Sequence, residues 1–419
     1  MPIYPVFLMT DSAANRRMTT SIDEHRHHNH HHPLLQVLCI FFYVASWVAN
    51  AEALQGICNG TFWGTHGQAY NKPGFLTWLD YNLMILGFVL VWPWIRRNYG
   101  TLPEYVHVWT GTWSLTHMVL ACTGLSWLLT ITHIFYVVGL QNIFVASLNA
   151  AYQVQAICTL VLSVWVFGGA FTNTQMIGIS TSIIGVISIV LPPLWLDDTD
   201  NNQESSTTSA AVIGIFSTIL SAALWGCYQV AWRGLQESKL PKRMPQMTKT
   251  EELVDTIFTL AVIGVANLLV GWSILPILDW IGFETFELPP VSSSGALTIN
   301  AVIEYLFNVL IAIAIHVTSP LATSLTAPLT IPLSWVSDLF LYQIPLSSAT
   351  GGGLGWTGAI LIMFGLYLLE LKSDDDNVMQ CNRRESSTIS NVLLSGENEN
   401  NDDNDNYVIV AEDSRLVLA

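Results

Sequence analysis

Ile299–Tyr342 reads INAVIEYLFNVLIAIAIHVTSPLATSLTAPLTIPLSWVSDLFLY. Two apolar segments meet here at the short turn Val317-Thr318-Ser319-Pro320, and both carry polar groups that a simple membrane anchor does not need. Asn300, Glu304 and Asn308 recur at i, i+4 and i+8, so on a helix they form one polar stripe along an apolar cylinder. The second segment is interrupted by Pro328 and Pro332 and lined with Thr323, Thr326, Thr330 and Ser334. Proline at membrane depth frees backbone carbonyls, which is tolerated where they are buried in protein or line a cavity. Broken helices of this kind mark binding sites in transporters, and the hairpin reads as half of a substrate pathway.

The whole chain agrees with a polytopic membrane protein. It has 419 residues, 51% hydrophobic and only 11% charged, against roughly one quarter charged in soluble proteins. The net charge of −16 comes largely from an acidic C-terminal tail, and the 15 Lys and Arg form no basic face, which excludes nucleic acid as a partner. Cys39, Cys58, Cys122, Cys158, Cys227 and Cys381 contain no CxxC pair and imply neither a disulfide framework nor a zinc site. No cofactor or metal is called for, and no GxxxxGK[ST] loop supports primary active transport.

Apolar segments of about the 20 residues that cross a bilayer begin with Leu34–Gly56, which would act as signal anchor. Others follow at about 75–95, 114–138, 143–167, 175–195, 210–233, 253–275, 297–317, 320–342 and 354–371. The third and fourth are separated only by Gly139 to Asn142. With ten helices and an inside N-terminus, every Lys and Arg except Lys72 falls on the inner side, which supports both the count and cytosolic termini. Loops 196–209 and 279–287, both acidic, then face the opposite side with the sequon Asn59-Gly60-Thr61. Residues 1–33 include the His-rich run Glu24–His32, whose bland reading is unstructured low complexity, and 372–419 should be a disordered cytosolic tail. Tyr407-Val408-Ile409-Val410 fits a tyrosine-based sorting pattern of the kind that arises easily by chance.

The halves resemble each other: Ser147-Leu148-x-Ala150 matches Ser324-Leu325-x-Ala327, Ala45-x-Trp47 matches Ala223-x-Trp225, and past an insertion at Gly351 to Gly353, Gly178 and Gly185 match Gly358 and Gly365. The expected fold is therefore an all-α integral membrane protein of about ten transmembrane helices in two inverted five-helix repeats, 34–195 and 210–371. Glycines seven apart lie on one helix face and suit close packing against another helix or a second copy in a homodimer.

With these features in place, the chain resembles the drug/metabolite transporter superfamily, which contains EamA-type exporters and nucleotide-sugar transporters. Ala222-Ala223-Leu224-Trp225-Gly226-Cys227-Tyr228 through Arg233 is similar to the opening helix of that family's second repeat. Thr318-Ser319-Pro320-Leu321, with Leu329-Thr330-Ile331-Pro332-Leu333-Ser334 and Asp338, is nearest the F subgroup of nucleotide-sugar-transporter-like solute carriers. The resemblance spans roughly residues 34–371 and implies secondary transport of a small molecule across the lipid bilayer, without enzymatic chemistry. Two departures stand out. Helices seven to ten lack the Lys or Arg that phosphorylated substrates need, and Val166-Phe167-Gly168-Gly169 stands where many relatives have an acidic residue.

Glu304, with Asn300 and Asn308, is the expected substrate or proton site, because a carboxylate at the bilayer centre costs at least about 2.5 kcal/mol and faces a cavity or a partner. Asn149 and Gln153 on the fourth helix stand at the repeat position of Thr326 and Thr330 and would line the opposite wall; interhelical hydrogen bonding is the alternative. Asp338 sits near a helix end and could reach the interface, Tyr228 could flank a ligand, and Glu52 and Asp80 are placed near the outer face, solvated or paired. His117, His133 and His316 are scattered and read as structural. The functional expectation is a secondary transporter of a cationic or neutral organic solute, coupled to a proton, in an endomembrane or the plasma membrane. Its rivals are a nucleotide-sugar or phosphate-ester antiporter using Arg233, and a non-transporting scaffold acting through its tail.

Overall fold

The first crossing, α1 (Pro33–Asn59), is almost continuously apolar and ends in a loop that folds back on it, Thr61 and Phe62 donating to Gly56 O at 2.8 and 3.0 Å. The computed structural model describes residues 33–65, 67–167, 172–190, 204–239, 248–317, 326–341, 343 and 353–370. The His-rich tract, the turn at 318–320, most of the acidic loop 196–209, Ser324-Leu325, the insertion at 351–352, and the tail with its Tyr407 pattern and Cys381 lie outside these residues.

The second crossing is built in three pieces: α2 (Pro73–Asn82), a 3-10 turn (Leu83–Leu86) and α3 (Gly87–Tyr99). A short helix α4 (Leu102–Thr110) leads to α5 (Leu115–Asn142), started by Ser114, whose hydroxyl accepts from His117 N at 3.3 Å. Then come α6 (Val145–Tyr152), α7 (Val154–Phe167), α8 (Asn173–Val190) and the long α9 (Glu204–Lys239). The next helix, α10 (Lys249–Leu269), opens with a capping box in which Thr248 and Glu251 exchange side-chain to backbone bonds of 2.8 and 3.3 Å. After α11 (Ile274–Trp280) follow α12 (Ser294–Val317), the 3-10 turn Ala327–Leu329 with α13 (Thr330–Leu341), and α14 (Gly353–Glu370).

No strand occurs among the described residues. Eight helical stretches there are long and apolar enough to cross a membrane, while Ala327–Leu341 and Gly353–Leu368 are apolar but shorter. Exposed Ile177, Ile184, Ile360 and Phe364 give the outer faces the apolar character that lipid requires.

Boundaries differ from expectation in places that have physical causes. Gly139 to Asn142 is not a loop. The helix α5 runs through it and turns at Ile143 and Phe144, because Gly139 lies against α9, where a Cβ would collide with Thr218 Oγ1. The ninth apolar segment is helical from Ala327 among the described residues, with Pro328 in the 3-10 turn and Pro332 in the first turn of α13, where a missing N–H costs least. Glycines 178, 185, 358 and 365 join α8 to α14 within one chain: a Cβ on Gly185 would lie 2.7 Å from Gly358 O and one on Gly365 2.6 Å from Gly178 O. A dimer seam on these two helices would need their other faces.

The antiparallel pair α5 and α9 is uneven along its length. At one end a Cβ on Gly214 would fall 2.8 Å from Asn142 Cβ, and farther along Ser221 Oγ donates to Thr132 O at 2.8 Å. At the other end Gly124 and Gly234 have no atom within 4 Å of a Cβ position. A groove of about 560 Å³ opens there, lined by Ala121, Leu125, Leu128, Ala231 and Leu235.

Candidate functional site

The polar stripe of α12 faces inward and all three of its side chains are hydrogen-bonded, with Asn300 Oδ1 left without a partner among the described residues. Asn308 Nδ2 donates to Glu304 Oε1 at 2.8 Å and to the Glu304 carbonyl at 2.9 Å, and Asn50 of α1 donates Nδ2 to Glu304 Oε2 at 2.5 Å. One turn earlier, Asn300 Nδ2 donates to both oxygens of Asp80, each at 2.9 Å. Glu304 is 3% exposed and Asp80 1%. Of the two alternatives expected for Asp80, solvated or paired, the structure has the paired one. The second crossing starts at Pro73, and the Asp80 side chain enters the bundle toward α12 and α5. Glu52 is likewise buried.

On the far side of Asp80, His133 Nε2 of α5 lies 3.9 Å from Asp80 Oδ2, and its Nδ1 is 3.0 Å from the hydroxyl of Tyr81. His133 is thus part of the polar column. Aromatic rings run alongside the column: Phe307 to Trp47 at 5.6 Å, Trp47 to Tyr152 at 5.9 Å, Tyr152 to Tyr136 at 5.2 Å, Tyr136 to His133 at 5.6 Å, and His133 to Tyr81 at 5.2 Å. These side chains come from α12, α1, α6, α5 and α2, and they wall the two carboxylates with surfaces suited to cation–π contact or apolar enclosure.

A separate node joins α6 to α13. Asn149 Nδ2 donates to Ser334 Oγ at 2.8 Å, Ser334 Oγ to Thr330 O at 2.8 Å, and Thr330 Oγ1 to Ala327 O at 2.7 Å. Gln153 Nε2 returns to Asn149 O at 3.1 Å. Asn149 thus meets α13 at Ser334, through a hydroxyl ladder beside the proline break and not at Glu304. Thr326 immediately precedes this ladder. Asp338 is 1% exposed on the same helix. Tyr228 stacks between Trp225 and Trp232 at 5.2 and 6.0 Å, on α9. Asn59 is exposed at the end of α1, and the side chain of His316 lies outside the described residues.

Asn50 escaped the sequence reading, and His133, read there as structural, was not tied to Asp80. A signal existed for the first, since Tyr43, Trp47, Asn50 and Leu54 fall on one helical face and all are buried. His133 offers no such pattern, because only the tertiary pairing with Asp80 distinguishes it from a packed histidine. No group of three or more His, Cys, Asp or Glu able to hold a metal occurs among the described residues.

Helices of this length and apolarity, with buried carboxylates and broken segments, define a multi-pass membrane protein. No family model matches the chain. It is 29% identical over 224 residues to an uncharacterized transporter of Schizosaccharomyces pombe, a match covering 52% of this chain and 61% of that one. It is 25% identical over 335 residues to the thiamine-repressible mitochondrial transport protein of Saccharomyces cerevisiae, covering 73% and 83% respectively. To solute carrier family 35 member F5 of Macaca fascicularis it is 25% identical over 248 residues, covering 58% of this chain and 50% of the relative. The chain thus spans between half and about six tenths of the first and third of these proteins. All three are named transporters or carriers, and the likeness supports a relationship of the chain to solute carriers of the drug/metabolite transporter kind.

Proposed function

We propose that the chain is a secondary-active transporter that moves a small organic cation or neutral solute by alternating access, with Glu304 as the carboxylate that meets the solute or a proton. The repeats 34–195 and 210–371 would rock about the Glu304 column, and the termini and most Lys and Arg would face the cytosol. The observation that carries this reading is the Glu304 cage. Two asparagine amides hold the carboxylate, and its position inside the bundle makes an uncompensated charge costly. No Lys or Arg occurs anywhere between Lys249 and Lys372, so the α10 to α14 half brings no fixed cation to neutralise it. A proton or a positively charged ligand completes such a site, whereas a phosphate ester would meet a like charge. Thr330, Ser334, Asn149 and Gln153 would supply neutral hydrogen-bonding groups on the neighbouring wall.

A thermal-shift screen of the purified full-length chain tests this with two ligand sets, cationic vitamins and amines against nucleotide sugars and sugar phosphates. Ligand at a hundred times its dissociation constant stabilises the folded state by about 2.7 kcal/mol. Stabilisation by a cation, lost in Glu304→Gln, is the expected result. Stabilisation by nucleotide sugars alone would replace this reading with the phosphate-ester antiporter. Glu304→Lys should reverse the preference between the two sets, and an unchanged profile would remove Glu304 from the site.

A further inference from the structure

Asp80 and Glu304 are both buried carboxylates on one side of α12, yet their partners differ in kind. Glu304 is met by asparagine amides on both oxygens. Asp80 is met by one asparagine and by a basic side chain, His133, whose other ring nitrogen is fixed by Tyr81. His133 Nε2 has no hydrogen-bond partner among the described residues, and Asp80 Oδ2 lies 3.9 Å away, within about an ångström of bonding distance. Polar contacts of this kind often tighten only in the working complex.

We infer that Asp80 and His133 form a second proton site, separate from Glu304, in which one proton is bound by the pair and both members are oriented by Asn300 and Tyr81. With the proton bound the pair is neutral overall, either as carboxylate and imidazolium or as carboxylic acid and imidazole. With it released, Asp80 is left as an anion beside a neutral ring. The titratable groups facing Asp80 are Tyr81 on α2, Cys58 on α1, His133 on α5 and Glu304 on α12; Tyr152 and Tyr228 face Tyr81, and Glu52 faces Tyr136. From α10 the nearest polar contribution to α2 is the uncharged Asn267, which donates to Trp78 O and Asn82 Oδ1 at 2.9 Å each.

The placement gives the coupling a sign. Asn300 and Glu304 are one turn apart, about 5–6 Å between Cβ atoms, and Asn300 holds Asp80. A positive charge arriving at Glu304 therefore favours loss of the proton from Asp80 and His133, and an occupied proton site disfavours the cation. That is the linkage of an exchanger. This use of the proton rests on the transport reading; the existence of the proton site does not.

Infrared titration of the full-length protein in nanodiscs, following carboxyl and imidazole bands with pH, separates the two. Beside any steps from the other buried carboxylates, Glu52, Asp255 and Asp338, the wild type should show one proton-binding step from Glu304 and one from Asp80 with His133. Asp80→Asn should remove one and spare the other, Glu304→Gln should do the reverse, and His133→Gln should shift the Asp80 step at least tenfold in proton affinity while leaving the Glu304 step in place. His133→Gln alone suffices if Asp80→Asn does not fold. A wild-type titration retained in both Asp80→Asn and His133→Gln, or the loss of every step in Glu304→Gln, would overturn the second site. Should the Asp80 step be present while no cation stabilises the protein, the transport reading fails and the proton site stands.

Discussion

Two sets of carboxylates in this protein are managed in opposite ways. Above the start of α2, in the loop after α11, Glu284 accepts from Gly74 N at 2.6 Å and Phe75 N at 3.4 Å, capping the helix where its dipole favours a negative charge. Lys72 donates to Thr285 O and Oγ1 at 2.9 and 2.7 Å and pairs with Glu287 at 3.4 Å, while Tyr70 OH reaches Glu287 O at 2.7 Å. Each acidic residue there has a permanent partner. Inside the bundle, Glu304 has amides only. The loop charges have fixed counter-groups, whereas the Glu304 carboxylate is met by neutral donors alone, as the transport reading requires of a site that awaits a proton or a cation. Asp80 lies between these cases, having an amide and an ionisable partner.

The comparison breaks first at Asn300. Replacing it with Leu strips Asp80 of the one hydrogen-bond donor it has among the described residues, and we expect a loss of about 3 kcal/mol in thermal unfolding. Adding Asp80→Leu should recover much of that loss, since removing both partners of a buried pair is often nearly neutral. A double variant as unstable as the single one would mean that Asp80 is not the group Asn300 serves. Next is Lys72→Met, expected to cost less than about 1 kcal/mol, because exposed pairs contribute little. Its effect should fade as salt is raised while that of Asn300→Leu does not, the loop charges being screened and the buried ones shielded from ions.

Glu284 gives the smallest effect. Burial pushes its carboxyl above the ordinary value of 4.5, with the Gly74 and Phe75 amides and Lys72 pulling the other way. The folded state then holds the proton more tightly than the unfolded chain, so the contribution of Glu284 is full below the unfolded value and declines as pH rises through the folded one. Glu284→Gln should flatten the stability profile just above pH 4.5, with under about 1 kcal/mol of change at neutral pH. An unaltered slope would show that the carboxylate is not withdrawn from water as its geometry indicates.

Much of this fold was legible because lipid leaves few choices. Long apolar runs must be helices, and the run lengths located the eight long crossings to within a few residues. The stripe on α12 was legible for the same reason, being a local periodicity. What periodicity cannot carry is depth and pairing. Asp80 lies only seven residues past Pro73, and its burial depends on α12 bringing Asn300 to it from 220 positions away. His133 looks like any core histidine until Tyr81 and Asp80 flank it. The repeat sets Asn149 and Gln153 against Thr326 and Thr330, but that Asn149 meets Ser334, whose hydroxyl is bonded to Thr330 O, is a tertiary pairing that no local pattern carries.

The uneven contact between α5 and α9 also has a mechanical meaning. Glycines bring the helices together at Gly139 and Gly214, and their far ends stand apart at Gly124 and Gly234. Helical rise puts about 22 Å between Gly139 and Gly124. By that lever arm a tilt of about three degrees at the clamp would move the far ends by about an ångström, against the packing of Leu125 and Leu235 in one buried cluster. One of these arms carries His133 and the other Tyr228, so the same small tilt that spreads the tips would reach the aromatic wall beside the carboxylates as a change of grip.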